Sequence, residues 1–154
     1  MTIGPSEASV LITTASAPDL VRRLVDRLSE PVDSYWNGSH TWFTQLAGVD
    51  VEWRLHPVSD FLMPEASRPE DLLDLAIEGE VDPSHYWEGV EIFSVDDENE
   101  IDSASLSEEV CKLLDLEVTA HGNVDHDAIG DEYERSGGKV SLVSLLISQM
   151  NEKN

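Results

Sequence analysis

The chain of 154 residues holds one cysteine, Cys111, so no disulfide can form within it, and a reducing compartment, the cytoplasm, is expected. Basic residues are almost as scarce. Nine of them, only three lysine, face 32 acidic residues, for a formal net charge of -23. That is far beyond the magnitude of roughly 2 to 8 usual for a small soluble domain. A surface of this sign repels phosphate backbones and anionic lipid, which argues against direct nucleic-acid or membrane-surface binding. Long apolar runs are missing as well: nothing approaches a membrane span. The opening "MTIGPSEASVLITTASA" has no basic residue, and its apolar run Val10 to Ile12 is too short for a signal-peptide core. Phosphate-binding glycine loops are absent, since Gly137 and Gly138 precede Lys139 without the Walker spacing.

What is present argues for a packed protein. The hydrophobic fraction is 40%, with four Trp, three Tyr and three Phe, which separates the chain from disordered sequences. Its length suits a single domain spanning 1–154.

The segment "SVLITT" from Ser9 reads as a buried strand. A helix should follow, capped by Ser16 with Pro18 in its first turn and Asp19 near the capping-box position. Its apolar stripe is Leu20, Val21, Leu24, Val25 and Leu28, and Pro31 ends it. "HTWFTQL", the turn "AGVD" and the alternating "VDVEWRLH" predict a β-hairpin. Phe61 to Met63 is a short-strand candidate, and a second helix starts at Ser67 with Pro69 and Glu70 and stops near Gly79. Then come "YWEG", the strand "VEIFSV", the acidic turn "DDENE" and a short return through Ile101.

Segments 16–38 and 67–89 share Ser16/Ser67, Pro18/Pro69, Leu24/Leu75, Tyr35/Tyr86, Trp36/Trp87 and Gly38/Gly89. The pattern suggests a pseudo-repeat of 9–56 and 60–102 with a C-terminal extension 103–154; duplication and coincidence both account for it. In the extension, Ser105 and Glu108 should cap a helix with Leu106, Val110, Leu113 and Leu114 inward, and "EVTA" reads as a short strand. Residues His121 to Gly138 read as a polar, acidic loop, and Val140, Val143, Leu146, Ile147 and Met150 stripe a closing helix. The expected class is α+β: an antiparallel sheet with helices on one face plus C-terminal helices. Its start is either ferredoxin-like, β-α-β-β-α-β, or two β-α-β-β halves.

Chemistry-bearing patterns are weak. His121 and His126 lie among Asp125, Asp127, Asp131 and Glu132, but the spacing fits neither zinc nor EF-hand sites, so no metal and no cofactor is assigned. His40 and His85 each follow a serine without a nucleophile elbow and read as satisfied surface or edge residues. Cys111 has acidic helix neighbours that disfavour a thiolate. No catalytic constellation emerges, and the expected protein is not an enzyme.

The acidity is uneven: residues 91 to 134 hold 15 acids and one base. This favours a binding protein of the inhibitor or immunity type, steered onto a basic partner, with carboxylates standing where phosphates would. The expected contacts are Asp96, Asp97, Glu98 and Glu100 in the turn, and Asp125, Asp127, Asp131, Glu132 and Glu134 in the loop. Trp36 and Trp87 are further candidate anchors, although core packing at the helix-to-sheet corners is the favoured reading of both. Two competing accounts are adaptation to a high-salt cytoplasm, favoured by the low lysine count, and a carboxylate-based metal-dependent enzyme.

Overall fold

The computed structural model describes residues 7–28, 31–34, 39–58, 69–96 and 98–152. The fold is α+β, built on one antiparallel sheet. Its strands are β1 (Glu7–Thr13), β2 (Asp33–Ser34), β3 (His40–Leu46), β4 (Val49–Pro57), β5 (Trp87–Ser94) and β6 (Ala120–Val124), in spatial order β2-β3-β4-β5-β1-β6. The helices are α1 (Leu20–Leu28), α2 (Pro69–Ile77), α3 (Ser103–Leu114), α4 (His126–Arg135) and α5 (Leu142–Glu152).

With the two-residue β2 set aside, the chain opens in the order β-α-β-β-α-β. The pairing differs from that of the ferredoxin sandwich, because β1 lies antiparallel between β5 and β6. No strand forms at Ile101, and the next described element after β5 is α3.

The hairpin forms where alternation demands it. Leu46 pairs with Val49 around a two-residue turn with φ of 52° at Ala47 and 78° at Gly48, the left-handed pair of a type I′ turn. On β4, Val51, Trp53 and Leu55 point into the core, and Trp42 faces Trp53 across the hairpin. The Trp53 indole N–H donates to Thr44 Oγ1 at 2.8 Å, so burying the ring strands no donor.

Successive strand residues point to opposite faces, and here each face builds its own core. Val10 and Ile12 of β1 join α1, α2 and α3 on one side; Leu11 joins Val124, Ile129, Val143, Leu146 and Met150 on the other. The first three helices thus share one face, and the C-terminal pair α4 and α5 covers the other where β1 and β6 lie. Phe43, on that second face over β3, is 53% exposed, so the cover is partial.

The helix stripes fall inward as their periodicity requires: Leu20, Val21 and Leu24 on α1, Leu106, Val110 and Leu114 on α3, Val143, Leu146 and Met150 on α5. Their starts differ from expectation. α1 begins at Leu20, and Ser16 instead accepts the Thr13 hydroxyl in a tight turn after β1. At α3 the cap is Asp102, whose Oδ1 accepts the Ser105 N–H at 2.7 Å. Ser67 lies outside the described residues. Gly79, at φ 82°, ends α2 in a Schellman turn: Glu80 N bonds Leu75 O and Gly79 N bonds Ala76 O.

Two of the few cations tie the helical layer together. Arg22 Nη2 donates to Ile77 O at the end of α2, and Arg23 Nη1 donates to Leu114 O and Asp115 O at the end of α3. Helix C-termini leave carbonyls unpaired and favour positive charge, so adjacent arginines on α1 serve both neighbours.

Candidate binding surface

The expected strand "EVTA" sits later in the chain, as β6 at Ala120–Val124, and the expected loop 121–138 is mostly helix. Asp125 starts α4 by accepting the N–H groups of Asp127 and Ala128, and Ile129 supplies its buried contact. One cap and one apolar anchor suffice once α5 lies alongside. Asp127, Asp131, Glu132 and Glu134 are exposed on α4, with Glu132 Oε1 2.9 Å from Arg135 Nη1.

The acidic turn after β5 is organised by one of its own acids. Asp96 Oδ1 accepts the N–H groups of Glu98 and Asn99, and Oδ2 faces Asp50 N and Asn99 Nδ2. Those donors, the Glu98 amide foremost, hold its pKa below the ordinary value. Asp96 is therefore a turn-former, while Glu98 and Glu100 project into solvent. Asp97 and Trp36 lie outside the described residues.

Trp87 is 0% exposed and packs beside His40 and Tyr86, with ring centroids 5.7 and 5.9 Å away. It is core, and its side chain offers no contact to a partner. His40 is likewise fully buried rather than at a surface. His85 is exposed in a single 3₁₀ turn, Pro83–His85.

Strand register brings the two acidic segments together. Ser9 pairs with Phe93 and Glu7 with Val124, so the start of β1 and the ends of β5 and β6 share one end of the sheet. The chain leaves β5 there after Ser94, and α4 follows β6 there. A groove of about 790 Å³ at this end is lined by Glu7, Asp96, Asn99, Glu100, Asp102 and Asn123, from the segment after β5 and the adjoining ends of β1 and β6; α4 does not line it.

Beneath this end lies a charged cluster that sequence reasoning missed. Glu91 of β5 is 1% exposed; His56 Nε2 of β4 stands 3.1 Å from its Oε1, and His126 Nε2 of α4 meets its Oε2. Glu7 Oε2 is 2.8 Å from the other His126 nitrogen, Nδ1. Phe93 lies against the His126 ring, and Arg54, paired with Glu52, sits over Phe93. Burial alone would raise the Glu91 pKa, but the bonds and charges of His126 and His56 outweigh it and bring the value to about 2. For His126, burial opposes the charged form, and the Glu91 bond with the Glu91 and Glu7 charges prevails, raising its pKa.

Among the described residues no group of three His, Cys, Asp or Glu could hold a metal ion, and no helix is long and apolar enough to cross a membrane. Compared with family models, curated proteins and solved structures, the chain matches none of them.

Proposed function

We propose that this α+β protein is a non-catalytic acidic binding protein that blocks or regulates a basic partner, in the manner of an inhibitor or immunity protein. The observation that carries the reading is convergence: two acidic segments separated in sequence leave the same end of one sheet, on either side of Glu7. Carboxylates gathered on a rigid sheet end produce a directed field, which speeds encounter with a basic surface and selects against acidic ones. Several cations are spent internally, Arg22 and Arg23 on helix ends and Arg54 on Glu52, leaving the acidic end without compensation from them. Carboxylates presented this way stand in for phosphates, which makes a nucleic-acid-binding protein a natural partner class, met in the cytoplasm.

The test is retention of basic proteins from a cytoplasmic extract on the immobilised chain, followed by association kinetics with the recovered partner across ionic strength. The variant E98Q/E100Q/D127N/D131N removes four exposed charges and spares the turn-forming Asp96 and the cap Asp125. It should associate more slowly and with a flatter salt dependence. Unchanged association, or no basic protein retained at low salt, would overturn the proposal.

A further inference from the structure

We propose that His126 is a charge latch for the second-face helical layer: as an imidazolium it ties the first turn of α4 to two carboxylates on the sheet, and on losing its proton it releases that turn. The placement of the two carboxylates favours the charged ring. Glu91 faces Nε2 and Glu7 faces Nδ1, so both nitrogens look at a carboxylate oxygen. A neutral imidazole carries one N–H, and whichever tautomer forms, the other nitrogen turns a lone pair toward an anion. Nδ1 stands 2.8 Å from Glu7 Oε2 without hydrogen-bond alignment, so what the proton would add on that side is charge attraction rather than a directed bond.

The surrounding groups set the direction. β5 presents Glu91 and Phe93, β1 presents Glu7, and β4 presents Arg54 and, across Glu91, His56. At the α4 cap Asp125 is occupied by its own bonds, and α5 contributes the uncharged Gln149, which accepts the Asp125 N–H. Arg54 opposes a charged His126, but its guanidinium is paired with Glu52. Two carboxylates therefore face His126, Glu7 at Nδ1 and Glu91 at Nε2, with Glu91 sharing His56 as well. Because the folded pKa is raised above 6.5, the docking contribution is complete below that value and is lost as pH rises through the folded value. Release would move Asp127, Asp131, Glu132 and Glu134, all carried on α4. The latch stands on its own geometry, whether or not that surface meets a basic partner.

The experiment is amide hydrogen exchange on the full chain from about pH 5.5 to about pH 8.5, corrected for intrinsic rates, beside ¹⁵N shifts of the histidine rings. Protection of α4 should fall with rising pH by no more than about tenfold per pH unit, the slope of one proton, while β3 and β4 hold steady. Both His126 nitrogens should be protonated at the acid end. H126Q should show loosened α4 protection at every pH with no pH-dependent step. If H126Q does not fold, E7Q serves: it keeps the Glu91 contact and should shift the loss of protection to lower pH. The latch is wrong if α4 tracks β3 and β4 across the range, if His126 is neutral at the acid end, or if E7Q leaves the transition in place.

Discussion

Gly89 of β5 lies so close to the Ile12 backbone of β1 that a Cβ at this position would stand 2.6 Å from the Ile12 carbonyl oxygen. The glycine of the second Tyr-Trp-x-Gly stretch thus serves close strand approach. Neither the oxygen nor the Thr13 Cα, 3.0 Å away, can move without parting the two central strands. G89A should lose about 1–3 kcal/mol of stability by overpacking, read from urea unfolding. A loss within experimental error would show that β1 and β5 are not locked at this point.

Asp96 and its neighbours separate by role. D96A should lower the melting temperature, because four donors from Asp50, Glu98 and Asn99 lose their acceptor. E98Q and E100Q, at exposed positions, should leave the melting temperature unchanged or slightly raised as self-repulsion falls. Thermal denaturation followed by circular dichroism compares them directly. Equal effects from all three would remove Asp96 as the organiser of the turn.

Buried Glu91 gives the fold an acid limb. Its folded pKa of about 2 lies below the ordinary 4.5, so its stabilising contribution is complete above pH 4.5 and is lost as pH falls toward 2. The separation corresponds to on the order of 3 kcal/mol. E91Q should therefore be less stable than the parent near neutrality, and the gap between the two should close on acidification through that window. Parallel stability curves for the two proteins would show that Glu91 is not held ionised by its histidines.

Much of the α+β frame is legible in the residues. Alternation from Val49 to Leu55 and the turn at Ala47 and Gly48 specify the hairpin, and the leucine stripes of α1 and α3 specify their buried sides. The α4 region is not legible, because its helix depends on a cap at Asp125 and one apolar anchor, Ile129, docking on partners supplied by α5. The cluster around Glu91 fails for the same reason. On "VEIFSV" period-two reading puts Glu91 on a solvent face, and only a helix beginning 35 residues later brings His126 over it. Two signals were available: His56 lies on the same face of its strand as Arg54, and Glu91 is flanked on that face by Phe93, a ring that seeks cover. Of the expected contacts, exposed Glu98, Glu100, Asp127, Asp131, Glu132 and Glu134 keep a place on the candidate surface, while Asp96 and Asp125 are structural and Trp87 is core.

The proposed encounter at one end of the sheet and survival in a salt-rich solvent make opposite demands on how this acidity responds to salt. Thermal unfolding across potassium chloride, from a few millimolar to on the order of molar, separates them most directly, since added salt screens self-repulsion between exposed charges. For the encounter, the chain should be folded at the lowest salt and gain little stability as salt rises. A fold that collapses at low salt and keeps gaining stability toward molar concentrations would contradict it, and would assign the charge to solvent adaptation.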